Sequence, residues 1–232
     1  MSEKIQLKDF VEIDFTAKLK DSGEVFDTTY PEIFKTINDN PNMDVHPMKL
    51  ILGEKMILQA LEEQIAGKEV GEKFSVDLPT EKAFGPRDSK LIKIASLSLF
   101  KNQKVQPYKG LVLNIDGNLA KVVSVNGGRV SLDFNSPLAG KDVSYEIKIN
   151  KKITEEKEKI EMVLEIFFQK KIPFEIKENK VIVKAEKFFE QLVKMFGPKF
   201  KELTGKELDF EEVKEETKKT EPEKIESSEK TN

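Results

Sequence analysis

Alternation of apolar and polar side chains begins at Phe10. Through residues 10–17, Val11, Ile13, Phe15 and Ala17 recur at every second position between polar neighbours, the period of a strand with one buried face. Asp21-Ser22-Gly23 is a turn, and apolar residues return at Val25 and Phe26, so a hairpin is expected. Residues 31–47 lose the alternation and are rich in turn formers (Asn38-Asp39-Asn40-Pro41-Asn42, then His46-Pro47). They read as an insertion loop with a short helix near residues 33–37. A strand resumes over 48–52 and Gly53 ends it. From Met56 to Ala66 the period lengthens: Ile57, Leu61 and Ile65 fall at i, i+4 and i+8, one face of a helix, and Gly67 stands where a C-cap glycine belongs. Residues 73–78 alternate again as a strand.

A second unit starts near Pro86. Its clearest part, residues 111–134, is three strand patterns separated by Asp116-Gly117-Asn118 and Asn126-Gly127-Gly128. Leu111/Leu113/Ile115, Leu119/Lys121/Val123/Val125 and Val130/Leu132/Phe134 each keep a period of two, which predicts a three-stranded meander. Residues 143–149 form one more strand, returning to the first unit. After it the chain turns Glu/Lys-rich and helical over 154–171, with Ile160, Val163, Leu164 and Phe167 as an apolar stripe. Residues 174–184 suggest a hairpin turning at Glu178-Asn179. A helix over 186–196 presents Phe188, Leu192 and Phe196 and is expected to stop at Gly197-Pro198. A short helix at 199–204 and an extended piece at 208–213 follow. Residues 214–232 are nearly all Lys, Glu, Thr and Ser, the composition of a disordered tail.

Composition narrows the chemistry. The chain has 232 residues, no cysteine and one histidine. It therefore has no disulfide frame, thiol nucleophile or zinc–thiolate site, and His46, in a Pro/Asn-rich loop, reads as a surface residue. The start is polar and no apolar run approaches the ~20 residues of a spanning helix, so a cytoplasmic protein is expected. Net charge is −3 with both signs interspersed, the pattern of solvated faces and not of a nucleic-acid binder. No zincin, Walker or Rossmann pattern is present. The expected function needs no metal and no cofactor. The Lys/Glu bias fits a thermophile.

Four stretches carry a resemblance. They are Val25-Phe26-Asp27-Thr28-Thr29; Leu52-Gly53 followed by Ile57 to Glu63 and Gly67-Lys68-Glu69-Val70-Gly71-Glu72-Lys73; Ala83-Phe84-Gly85; and Leu138-Ala139-Gly140-Lys141 before Val143-Ser144-Tyr145-Glu146-Ile147. In this order and spacing the chain resembles the FKBP-type peptidyl-prolyl cis-trans isomerases. Some fifty residues separate the third and fourth stretches and contain the meander, which resembles the insert-in-flap domain of SlyD-like members. The extension after 150 resembles that of long archaeal members. The resemblance implies an α+β fold: an antiparallel β half-barrel around one helix (1–85 plus 135–150), a small inserted β domain (86–134), an α+β C-terminal unit (151–213) and the tail (214–232).

It also implies a site. Phe26, Asp27, Phe84 and Tyr145 would be the catalytic group, with Phe15, Met48, Ile57, Leu58 and Leu61 completing the proline pocket. Asp27 would form the polar wall, and the Leu58 N–H would donate to a substrate carbonyl. Leu61 stands where many members have Trp, Phe84 where Tyr is commoner and Met48 where a larger aromatic is usual. Asn135-Ser136-Pro137 replaces Asn-His, and the His-rich nickel-binding tail of bacterial SlyD is absent. Leu91, Ile92, Ile94, Leu97, Leu99 and Phe100 either bind client chains or form the insert's own core. The expected partners are unfolded or nascent polypeptides, with a homodimer through the C-terminal unit and no membrane or nucleic acid. The alternative reading is a holdase chaperone with little or no isomerase activity.

Overall fold

The structure is a computed structural model that describes residues 3–38, 40 and 44–213; the expected tail at 214–232 lies outside the described residues. The chain divides into two compact units, Met1–Ile153 and Thr154–Asn232.

The first unit is built on β1 (Phe10–Leu19). The alternation seen in the sequence buries Val11, Ile13, Phe15, Ala17 and Leu19 on one face. β2 (Val25–Thr28) and β3 (Met48–Ile51) share one side of β1, β2 pairing its C-terminal half and β3 its N-terminal half. Between β2 and β3 lies α1 (Pro31–Ile37), with Pro31 at its first turn, where a missing N–H costs nothing. The other side of β1 is taken by β9 (Val143–Ile153), which in turn pairs with β4 (Lys73–Leu78). All these pairings are antiparallel and make one five-stranded sheet. α2 (Gln59–Ile65) sets Leu61 and Ile65 into the core the sheet curls around.

α2 is shorter than the sequence suggests. Its N-cap is Leu58, and Met56 to Leu58 approach it outside the helix, so Ile57 is not on the Leu61/Ile65 stripe. The reason is local: the buried carboxylate of Glu62 accepts the Met56 N–H at 3.2 Å and holds that approach away from helical geometry. The C-terminal end follows the sequence. Gly67, just past the cap, has φ +85° and donates to the Ile5 carbonyl.

The insert folds between β4 and β9. Its strands are β5 (Ile92–Ser96), β6 (Val112–Ile115), β7 (Asn118–Asn126) and β8 (Arg129–Asp133), in the order β5-β8-β7-β6, and α3 (Leu97–Asn102) follows β5. The meander of the sequence is β6-β7-β8; β5 adds a fourth strand against β8. The small core is Phe100, Ala120, Val122, Val130 and Leu132. The expected face of β7 is corrected here. Ala120 and Val122 point inward, whereas Leu119 and Val123 are exposed. A bulge between Val122 and Ser124 then shifts the parity and returns Val125 to the core side. Leu119 and Val125 therefore do not share a face, although six residues separate them.

The second unit contains α4 (Glu156–Phe168), β10 (Phe174–Lys177), β11 (Lys180–Ala185), α5 (Phe189–Thr204) and β12 (Glu207–Glu212). β10 and β11 are the expected hairpin; β11-α5-β12 is a crossover between parallel strands. Gly197-Pro198 does not end the helix. α5 runs through Pro198 to Thr204 and closes at Gly205, φ +76°. Pro198 removes one helical hydrogen bond, but the last turn carries the fully buried Phe200, and burying a phenylalanine offsets the loss by ~2–3 kcal/mol. The buried stripe of α5 is accordingly Phe189, Val193 and Phe200, one position on from the expected Phe188 and Leu192, and Phe188 is exposed. Phe196 stacks on Phe167 of α4 with ring centres 4.7 Å apart.

Candidate functional site

A hollow of about 340 Å3 opens on the first unit between the sheet and α2. Its walls follow strand parity. β1 contributes Ile13 and Phe15, β9 contributes Tyr145 and Ile147, β3 contributes Met48, and α2 closes the floor with Leu61. The approach to α2 adds Met56, Ile57 and Leu58. Phe84 reaches in from the turn after β4. That turn is fixed by Gly85 N–H donating to the Thr80 carbonyl at 2.8 Å, and Thr80 is tied through its backbone N–H and hydroxyl to Asp142.

The aromatic rings form one connected group. Phe26 meets Phe84 edge-on at 6.0 Å and Tyr145 edge-on at 6.2 Å, and Tyr145 lies 6.1 Å from Phe15. These are the geometries aromatic quadrupoles favour. Phe26 packs edge-on against Phe84 and Tyr145 without lining the hollow itself. Asp27 is the one carboxylate on the lining. Its Oδ1 accepts the Thr28 N–H at 2.8 Å, which leaves the exposed acid at the rim. Burial, with the Asp27 charge adding to it, pushes the Tyr145 phenol up to about 12, so the group stays a neutral hydroxyl at ordinary pH.

One backbone donor is open. As N-cap, Leu58 has no intrahelical acceptor for its N–H, and none is found for it elsewhere among the described residues. The structure thus brings Phe15, Asp27, Met48, Ile57, Leu58, Leu61, Phe84 and Tyr145 around one hollow, with Phe26 packed against Phe84 and Tyr145. Ile13, Met56 and Ile147 complete the lining and were not picked out from the sequence. Ile13 and Ile147 each lie two positions from a predicted residue on the same strand, so period-two parity was a sufficient signal. Met56 was masked by the expectation that it was helical.

The six insert residues separate into two groups. Leu91, Ile92, Ile94 and Leu99 are exposed, whereas Phe100 is buried and Leu97 packs against it as part of the insert's core. For Phe100 and Leu97 the core role wins, because a four-stranded sheet of this size has few other large side chains to fill its interior. The exposed group lies near an apolar hollow of about 440 Å3, which Ile94, Leu99, Phe100, Leu113, Leu132 and Phe134 line. β5 and β6, on its two sides, are the edge strands of the sheet. Among the described residues no helix is long and apolar enough to cross a membrane, and no three His, Cys, Asp or Glu side chains gather as a metal site.

The family model described as FKBP-type peptidyl-prolyl cis-trans isomerase matches residues 1–115. A second, described as FKBP26, IF domain, matches residues 93–138. A short-type peptidyl-prolyl cis-trans isomerase of Methanocaldococcus jannaschii is 33% identical over 150 residues, covering 64% of this chain and 94% of the relative. The FKBP-type 16 kDa peptidyl-prolyl cis-trans isomerase of Escherichia coli K12 is 29% identical over 154 residues, 64% of this chain and 94% of its own length. SlyD of Aeromonas hydrophila is 29% identical over 129 residues, 55% of each chain. With the hollow, its aromatic ring and a relative matched over nearly its whole length, the chain belongs to the FKBP-type peptidyl-prolyl cis-trans isomerases and carries their insert-in-flap domain.

Proposed function

We propose that this isomerase acts on X-Pro bonds of unfolded or partly folded proteins, with the hollow turning the bond and the insert holding the chain. Rotation about a peptide bond is opposed by resonance, a barrier of ~18–20 kcal/mol, and X-Pro exchange takes tens to hundreds of seconds. No acid, base or nucleophile is required to lower it. The site need only bind the half-rotated amide more tightly than either planar form. A rotated amide has lost its resonance and part of its carbonyl charge, so an apolar wall suits it better than the planar amide. In this reading Phe84 and Tyr145 grip the pyrrolidine ring over the Leu61 floor, with Phe26 keeping both rings upright. Leu58 N–H takes a substrate carbonyl, and Asp27 orients the peptide near the turning bond. Each ~1.4 kcal/mol of preference for the twisted form is worth tenfold in rate.

The observation that carries this reading is the combination of an apolar, aromatic-lined hollow with a single acid on its lining and an unused backbone donor at its edge. The test is a refolding reaction limited by prolyl isomerisation. The Asp27→Ala/Phe84→Ala double variant should lose most of the acceleration while still unfolding cooperatively above the assay temperature; unchanged acceleration would overturn the site assignment.

Capture by the insert rests on the exposed Leu91, Ile92, Ile94 and Leu99 and on the free edges of β5 and β6, which can accept a client strand. Tethering a weak binding surface to the catalytic hollow raises the local concentration of prolyl bonds. Deleting residues 86–134 should leave turnover of a short prolyl peptide within a few-fold and cut refolding catalysis at least tenfold. Equal refolding catalysis with and without the insert would refute capture. The C-terminal unit, which exposes Phe188 and Met195, serves in the same scheme as a self-association module. Light scattering should give a dimer for the full chain and a monomer for a chain ending at Ile153.

A further inference from the structure

Averaged over the chain, cations and anions alternate; on the insert they do not. Over the insert, residues 86–134, six lysines with Arg87 and Arg129 stand against three carboxylates, Asp88, Asp116 and Asp133, and no glutamate occurs between Glu81 and Glu146. Since the whole chain has a net charge of −3, the remainder is acidic and the insert is a basic island within it.

Outside the insert several lysines rest on carboxylates: Lys18 on Glu146, Lys20 on Asp77, Lys152 on Asp9 and Glu3, Lys184 on Glu175. Arg87 pairs with Asp133; the other seven insert cations are exposed, and none has an ion pair among the described residues. Lys121 stands opposite Asp133 in the β7–β8 ladder, but that carboxylate is already held by Arg87 and Asn135.

These cations border apolar space. Lys101 and Lys104 stand beside a hollow of about 470 Å3 that also has Leu97, Val105, Pro107 and Val125 on its walls. Lys93 lines the 440 Å3 hollow together with Ile94, Leu113 and Phe134. A cation at the lip of an apolar hollow has its field focused by the low-dielectric wall. Seven of them on one small domain repel one another and any basic visitor, and an anionic occupant relieves both penalties. The occupant must also cover aliphatic surface, namely Ile94, Leu99, Val112 and Leu119. A single-stranded nucleic acid would neutralise the lysines but calls for aromatic stacking platforms, and the only exposed aromatic of the insert is Tyr108.

We propose that the insert selects, among unfolded chains, apolar polypeptide segments flanked by Asp and Glu, and rejects segments flanked by Lys and Arg. This rests on the capture reading above and adds to it the chemistry of the client. Three or four exposed ion pairs of ordinary strength sum to about tenfold in affinity.

The experiment uses the full chain and two fluorescein-labelled, proline-free twelve-residue peptides with the same apolar centre, one flanked by four Glu and the other by four Lys. Fluorescence anisotropy at low salt should give at least tenfold tighter binding of the acidic peptide. At ~0.5 M NaCl, where screening cuts interactions beyond a few ångströms, the gap should fall below threefold. The Lys93→Glu/Lys101→Glu/Lys104→Glu variant, checked for an unchanged melting temperature, should reverse the order; because it could fail to fold, the salt titration on the natural chain stands as the independent measurement. Equal binding of the two peptides, or a preference that salt does not alter, overturns charge selection while leaving capture intact. Binding of neither peptide sinks capture itself. A single-stranded RNA oligomer that displaces the acidic peptide at lower concentration overturns the polypeptide assignment.

Discussion

Tyr145 links the hollow to a measurable pH dependence. Its hydroxyl is held in a largely dehydrated wall near Asp27, and its pKa is pushed up to about 12 from an ordinary 10. The shift is upward, so the neutral phenol is the form the fold favours. The stability it contributes is fully present below pH 10, where the tyrosine of the unfolded chain is also protonated, and is lost as pH rises toward 12, where the unfolded chain gains from ionising first. Over that window the linkage amounts to ~1.4 kcal/mol per pH unit, so roughly 1.4 kcal/mol should vanish between pH 9 and 11. Lysines paired in the folded state, such as Lys20 and Lys152, lose stability in the same direction, as does Tyr30, so the natural chain alone does not isolate the effect. Tyr145→Phe does. Urea unfolding of both chains at several pH values should show the variant losing less stability than the natural chain across this window, by about the figure above. Tyrosinate absorbance should show one of the three tyrosines ionising well above the others. If the two chains lose stability in parallel, or if all three tyrosines titrate near 10, Tyr145 is not in a dry wall and the account of the hollow fails.

Further substitutions probe the elements that hold the site. Glu62→Ala frees the Met56 N–H; we expect ~1–3 kcal/mol of destabilisation and, because Met56 to Leu58 line the hollow, a larger rise in KM than fall in kcat for prolyl peptides. Gly140→Ala places a methyl 3.1 Å from Arg87 Cγ at φ +75°, next to the Gly140 N–H that donates to Gly85; urea unfolding should show a loss of at least ~1 kcal/mol. Pro198→Ala restores a helical hydrogen bond at an exposed position of α5, and the unfolding free energy of the C-terminal unit should rise by ~1–3 kcal/mol. No gain there would mean that the proline is not strained by its place in the helix.

The barrel was legible because its strands are half-buried and its core is read directly from parity. Val11, Ile13, Phe15 and Ala17 announce β1, and Tyr145 with Ile147 announces β9. Where parity is broken by backbone detail, the sequence misled. At β7, the bulge after Val122 makes Leu119 and Val125 appear to share a face, and only the pairing partners on β8 reveal that they do not. At α5, Gly197-Pro198 is a strong local stop, but seating Phe200 in a closed core offsets much of the cost of a helical proline. Tertiary packing overrode propensity there, and nothing in the neighbouring residues signals it. At α2 the deciding contact is Glu62 to Met56, a carboxylate buried for a backbone amide, which a hydrophobic pattern cannot register.

The insert joins the barrel beside a wall of the hollow. It interrupts the connection from β4 to β9, and its two linkers are clasped where they leave the barrel: Gly140 donates to Gly85, Asp88 N–H donates to the Asn135 side chain, and Asn135 returns a hydrogen bond to the Asp88 carbonyl. An insertion at such a point costs little loop entropy, because the ends were already close. The same clasp ends one residue from Phe84, which forms a wall of the hollow. The Gly85–Gly140 contact therefore helps hold Phe84 against Phe26, and a methyl at position 140 would press on the Arg87 side chain beside it.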